Sequence, residues 1–176
     1  MAGNDELLDL VNEKDQLIGT LWRSEYERLE VEDLGYIRAV ELFIQNENGQ
    51  LWIPKRTADK RIAPNGLDYS AGGHVSSGET YMQAMLKEIN EELNWKFQES
   101  DLEFIADIGP DQNRYIRKLF VHRTNREPNY NPEDFVSANW FAIDSLIALL
   151  ESGAPAKSSL LPTVRLFKDH QDKEQL

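Results

Sequence analysis

The chain contains no cysteine. That absence excludes disulfide staples, thiolate nucleophiles, cysteine-ligated zinc and iron–sulfur clusters. Histidine is scarce, at three residues, and positive charge is in the minority: 19 Lys and Arg stand against 31 Asp and Glu, a net charge of -12. Such a surplus repels a polyanionic duplex and an anionic bilayer, so neither a nucleic-acid polymer nor a membrane is expected as a partner. A small phosphorylated substrate remains compatible if a divalent cation bridges the two negative charges. No apolar run approaches the ~18 residues of a membrane helix. The opening MAGNDELLDLVNEKD has neither the basic nor the apolar region of a signal peptide, so a cytoplasmic location is expected.

What the chain does have is enough apolar material for a core: 40% hydrophobic residues, with four Trp, six Tyr and seven Phe, over 176 residues. One domain over 1–176 is expected, with an N-terminal hairpin or arm in 1–35 and a C-terminal helix and tail in 156–176. The runs Leu7–Val11 and Leu17–Trp22 read as a hairpin. Tyr36–Gln45 and Leu51–Lys55 read as another, joined through Asn48-Gly49. Pro54 belongs at a strand end or bulge, because it cannot donate to a ladder. Leu102–Ile108, Ile116–His122 and Ser137–Phe141 are further strand candidates.

Thr80–Leu93 carries Met82, Met85, Leu86, Ile89 and Leu93 at helical spacing. Asp144–Ser152 and Leu160–His170 read as shorter helices, with Pro162 in a first turn and Gln171–Leu176 frayed. The mixture predicts an α/β (α+β) sandwich around a mixed central sheet.

The informative segment is Gly72-Gly73-His74-Val75-Ser76-Ser77-Gly78-Glu79 followed by Lys87-Glu88-Ile89-Asn90-Glu91-Glu92-Leu93. Ser76 and Glu79 have the spacing of a capping box, which predicts a loop turning into a helix near Gly78. Glu88, Glu91 and Glu92 stand at i, i+3 and i+4 and so share one helical face. Three like charges on adjacent turns repel, which a divalent cation would relieve. A solvated acidic face is the other reading of that pattern alone.

The full spacing, Gly73, Glu79, Lys87, Glu88, Ile89, Glu91 and Glu92, closed by Trp95, resembles the Nudix box, here 73–95. The segments Leu8 to Glu13, Gly49 to Arg56, Leu67-Asp68 and Asn139-Trp140-Phe141 are similar to the branch of Nudix hydrolases related to isopentenyl-diphosphate isomerase. The resemblance implies an α/β/α sandwich and a pyrophosphohydrolase using Mg²⁺ or Mn²⁺. Its substrate would be a nucleoside di- or triphosphate or a related small diphosphate. It implies a metal face of Glu88, Glu91 and Glu92, completed by the Gly73 carbonyl, with one of the three glutamates or a water they hold acting as base. It also implies Asp134 as an extra acidic group at the metal.

Two positions depart from the family pattern. Lys87 replaces an arginine and so loses a planar fork that would orient Glu88. Asn94 replaces a glycine, and Asn is the next best left-handed helix cap.

Arg38, in an otherwise apolar strand, and the cluster Lys55, Arg56, Lys60 and Arg61 are expected to meet substrate phosphates, with His74 as a loop or substrate contact. Trp52, Phe43 and Tyr115 either stack a base or fill the core. The isomerase itself is the alternative enzyme, but its catalytic cysteine corresponds to Gly72, and no histidine precedes residue 74. A non-catalytic binding module of the same fold is the other alternative, and a homodimer is compatible with all three.

Overall fold

The structure, a computed structural model, describes residues 5–176. The first four positions of the N-terminal arm, part of the opening read for a signal peptide, lie outside the described residues. Strands β1 (Leu7–Val11) and β2 (Leu17–Trp22) pair antiparallel as a separate two-stranded sheet, and a four-residue helix α1 (Arg28–Val31) follows. The central sheet is built from β3 (Ile37–Gln45), β4 (Leu51–Arg56), β5 (Ala71–His74), β6 (Glu103–Ile108), β7 (Tyr115–Arg123) and β8 (Phe135–Phe141). Its order is β6-β7-β3-β4-β8, with β5 also on β3, and only β3 and β7 run parallel. Three helices complete it: α2 (Tyr81–Leu93), α3 (Ile143–Glu151) and α4 (Leu160–Glu174).

Strand β3 is nearly all apolar because both of its faces are covered. Val40, Leu42 and Ile44 pack with Trp52, Ala84, Met85, Ile89 and Leu93 under α2. The alternate residue Phe43 packs with Leu119, Leu160, Val164 and Phe167 under α4. The result is the expected α/β/α sandwich on a mixed sheet. Trp52 and Phe43, 2% and 0% exposed, are core aromatics. The β3–β4 turn closes through the Asn46 side chain, which accepts from Asn48 and Gln50, and Gly49 takes the positive φ of 77° that the turn requires. Pro54 lies beside the bulge at Lys55/Arg56.

Three local expectations change. The short Ala71-Gly72-Gly73-His74 strand escaped the sequence pattern because glycine has little intrinsic strand preference; it forms because β3 offers an antiparallel edge. Helix α4 continues to Glu174 rather than fraying after His170, with Gln171 hydrogen-bonded to Gln45. The cap of α2 is Thr80, not Ser76. Thr80 Oγ1 accepts from Gln83 N at 3.1 Å and Gln83 Oε1 accepts from Thr80 N at 2.9 Å. Ser76 instead forms a bridge with Leu8 of the arm.

Removing that cap tests its weight. Thr80→Ala should destabilise the protein by about 1 kcal/mol, lowering the thermal midpoint by ~2–4 °C. Thr80→Ser keeps the acceptor and should melt within about a degree of the parent. Coincident curves for Thr80→Ala and the parent would show that the arm, not the cap, holds this end of the helix.

Candidate active site

Strand β5 and helix α2 create the site together. In an antiparallel ladder neighbouring residues on facing strands share a face, and Gly73 pairs with Val40, on the α2 side of the sheet. A Cβ on Gly73 would lie 2.4 Å from the Glu88 carboxyl carbon, so the carboxylate occupies the space of the absent side chain. Gly72 N donates to Glu92 Oε1 at 2.9 Å. A strand residue's N–H and C=O lie on the same edge, so Gly72 also turns its carbonyl toward α2, while Gly73 turns its own toward β3. The outward carbonyl expected of Gly73 therefore falls to Gly72, and Gly73 contributes room.

The three glutamates are not equivalent. Glu91 is exposed, whereas Glu88 and Glu92 are partly covered and turned inward. Burial, with the like charge of Glu91 next, pushes the Glu88 carboxyl up to about 7. Glu92 is raised well above the usual carboxylate range, first by burial and then by Asp68, which the hydrogen bond from Gly72 only partly offsets.

Lys87 does not reach Glu88 by hydrogen bond. Its Nζ lies 2.8 Å from Glu79 Oε1 and 3.2 Å from Ser76 Oγ, with Glu6 of the arm at 3.9 Å. It ties the loop to the helix, so the expected loss of Glu88 orientation has no counterpart in the geometry. Asp9 of β1 continues the clamp, accepting from Ser77 Oγ at 2.8 Å.

The remaining cations are largely committed elsewhere. Arg38 Nε donates to Asp15 Oδ1 at 2.6 Å and its Nη1 lies 3.5 Å from Asp9, so it pins the β1–β2 turn rather than facing an open site. Arg56 binds the buried Asp68 and the Ile62 carbonyl. Lys60 donates to Asp134 at 2.8 Å, so a phosphate candidate and a metal candidate neutralise each other. Arg61 is exposed, 4.0 Å from Glu27, and Lys55 is exposed. His74 lies one residue beyond Gly73 with Nε2 3.0 Å from Tyr115 Oη; burial, then the positive charges of Arg23 and Lys157, push it down to about 3, so it is neutral at physiological pH.

Sequence reading assigned no role in the site to Gly72, Asp68, Lys157 or the buried pair Arg117–Glu41. Asp68 stands between Arg56 and Lys157, with Lys157 Nζ 3.3 Å from its Oδ1. Two of these carried a signal: Glu41 stands between Val40 and Leu42 and Arg117 at alternate spacing from Leu119 and Val121, positions where a charge buries only with a partner.

The NUDIX domain profile matches residues 35–164. A protein of Nostoc sp. named as an uncharacterised Nudix hydrolase is 40% identical over 164 residues, 92% of this chain and 95% of that protein. A Nudix hydrolase of Deinococcus radiodurans is 37% identical over 168 residues, 92% of this chain and 94% of that protein. A crystal structure of a Deinococcus radiodurans protein superposes with a TM-score of 0.81 at 35% identity, covering 91% of this chain and 98% of that one. A MutT protein of Methanosarcina mazei shares the fold, with a TM-score of 0.60 at 16% identity over 81% of this chain and 97% of that one. The glycine-lined glutamate helix lies within the matched span, and this chain belongs to the NUDIX domain family as a Nudix hydrolase.

Proposed function

We propose that the chain is a Mg²⁺-dependent pyrophosphohydrolase, with Mn²⁺ as the alternative ion, that cleaves the phosphoanhydride bond of a nucleoside di- or triphosphate or a related small diphosphate. The observation that carries this reading is the pair of inward carboxylates, Glu88 and Glu92, packed against Gly73 and Gly72. Among the described residues neither has a Lys or Arg partner in an ion pair, and burial pushes both toward the protonated form. Hard oxygen donors in that condition suit a divalent cation, whose charge would restore their ionised form.

Glu88 and Glu92, with Glu91 at the rim and the outward Gly72 carbonyl, would hold the ion. When bound, it would polarise a phosphoryl oxygen and lower the pKa of a bound water. One of the glutamates takes the proton as water attacks phosphorus and the bridging oxygen leaves with the departing phosphate. Lys87, through Glu79 and Ser76, keeps the loop in register. Asp134, paired with Lys60, would serve as the extra acidic group. His74, neutral, faces the substrate as a hydrogen-bonding group. Lys55 and Arg61 are the cations of the basic cluster free to meet phosphates from solvent.

The likeness to the isomerase-related branch rests on Leu8 to Glu13 of the arm, Gly49 to Arg56, Leu67-Asp68 and Asn139-Trp140-Phe141. Isomerisation itself is disfavoured by the missing thiol. A cytoplasmic setting belongs to the same proposal, on the cysteine-free composition.

Purified protein with Mg²⁺ should release phosphate or pyrophosphate from at least one member of a nucleotide panel. Release no greater than an EDTA control across the panel would sink the reading. Glu92→Gln should lower turnover by about a hundredfold or more with an unchanged circular dichroism spectrum.

Stability carries the same signature. Glu88 has a folded pKa of about 7 against the ordinary 4.5, so the folded state keeps a proton that the unfolded chain releases. Metal-free stability should therefore decline as pH rises from about 4.5 to about 7 and level off above it. Glu88→Gln should flatten that decline, and Glu91→Gln should change it less. At pH 8, Mg²⁺ at about a hundred times its Kd should stabilise by ~2.7 kcal/mol. A matched ionic strength of NaCl that reproduced the whole effect would count against a metal site.

A further inference from the structure

Most basic side chains of this acidic chain are already paired. Among the described residues Lys14, Lys55, Lys96, Arg126 and Lys173 have no carboxylate within ion-pair distance, while every other Lys and Arg has one within 4.0 Å. Two of these five, Lys96 and Arg126, meet in one open pocket of about 500 Å³ at the C-terminal end of α2, lined also by Asn90, Asn94, Trp95 and Phe97. No carboxylate lines it, in a chain whose acids outnumber its bases 31 to 19. At about 100° per residue, Asn90 and Asn94 lie roughly 130° around α2 from the centre of the glutamate face. The pocket therefore opens away from the candidate active site.

Its floor is aromatic and firmly packed. Trp95 is buried and stacks on Phe97, the ring centroids 5.2 Å apart at an interplanar angle of 25°, and His122 closes on Phe97 with centroids 4.4 Å apart. The Arg126 Cζ lies 5.3 Å from the Trp95 ring centroid. The indole face thus holds the guanidinium plane without neutralising its charge, and leaves its fork of N–H groups for an acceptor. Asn94 Nδ2 donates to the Asn129 carbonyl at 2.6 Å, which anchors that amide at the rim. A helix C-terminus disfavours an anion through its free carbonyls. Here two carbonyls of the last turn are taken: Asn90 O accepts from Asn94 N at 3.2 Å and Glu92 O from Asn131 N at 2.7 Å. The pocket offers two positive charges and amide donors over an apolar floor, with no carboxylate to answer them.

We propose that this pocket is a second ligand site, apart from the glutamates, that takes a phosphoryl group. The Arg126 guanidinium supplies paired N–H donors, the Lys96 ammonium a point charge and Asn90 an amide N–H, and two cations match the double charge of a phosphate. The site needs no metal, because its own side chains carry the positive charge. The glutamates, in contrast, can hold a phosphate only through a cation that bridges the like charges. The inference therefore stands apart from the hydrolase reading. Inorganic phosphate and a phosphate monoester share the required chemistry, and they differ in whether an organic group reaches the aromatic floor.

Calorimetric titration of the full chain in EDTA, at an ionic strength held constant with NaCl, tests this with the metal-dependent site silent. The probes are inorganic phosphate and phenyl phosphate. At least one should bind saturably at one equivalent per chain. Lys96→Gln and Arg126→Gln each remove one charged donor from an exposed position, and each should weaken that probe by about tenfold with an unchanged circular dichroism spectrum. Tighter binding of phenyl phosphate would identify a monoester as the ligand, and equal binding would identify free phosphate. Glu92→Gln should bind the probe within about twofold of the parent, because the glutamates make no hydrogen bond to it. Absence of saturable binding by either probe, or binding that survives the Lys96→Gln/Arg126→Gln double variant, would overturn the inference. A changed affinity in Glu92→Gln would place the phosphate at the glutamates and overturn it too. None of these outcomes bears on nucleotide hydrolysis with Mg²⁺, which tests the hydrolase reading separately.

Discussion

The absence of a side chain at Gly73 governs how close α2 can lie to the sheet, and the absence of one at Gly72 how close β5 lies to β3. At Gly73 any Cβ would meet the Glu88 carboxyl at 2.4 Å, and at Gly72 it would meet the Val40 carbonyl at 2.8 Å. With no side chain at Gly73, one helix turn sets Glu88 against that residue and Glu92 against the N–H of Gly72. Their burial follows from that approach, and so does their reluctance to ionise. The proposed metal chemistry begins at this strand, where Gly72 stands between Glu92 and Glu41.

The rest of the chain holds that approach in place with charge. The arm reaches the loop through Asp9 and Ser77, and the loop reaches α2 through Lys87 and Glu79. Arg38 and Tyr81 converge on Asp15, which joins the hairpin turn to the first residue of α2. An acidic protein with few cations thus spends several of them on architecture. Partly buried pairs of this kind lose much of their Coulomb attraction to desolvation, so they serve more to select one arrangement of arm, loop and helix than to add stability. The same logic extends to Arg117, whose ties to Glu41, Tyr69 and Thr163 bind β7, β3 and α4 into one polar seam through an apolar layer.

The chain's order alone determined a good deal. Apolar residues at periods of two and near four produced β3, β4, β7 and α2 within a residue or so of where they lie, because those patterns match the two faces such elements must bury. The spacing from Gly73 to Glu92 identified the family, since fixed offsets along a loop and helix survive folding unchanged. What the tertiary structure decided was pairing. Sequence cannot say that Lys60 would meet Asp134, that Arg38 would be claimed by Asp15, or that Thr80 rather than Ser76 would cap the helix once Ser76 was drawn to the arm. Nor can spacing separate Glu91, left in solvent, from Glu88 and Glu92, since all three lie within one arc of the helix and only the approach of β5 distinguishes them. Local order reports which groups lie on one element; which of them lose water, and to whom they bond, depends on partners 11 to 76 positions away, such as Ser76 for Lys87 and Glu41 for Arg117.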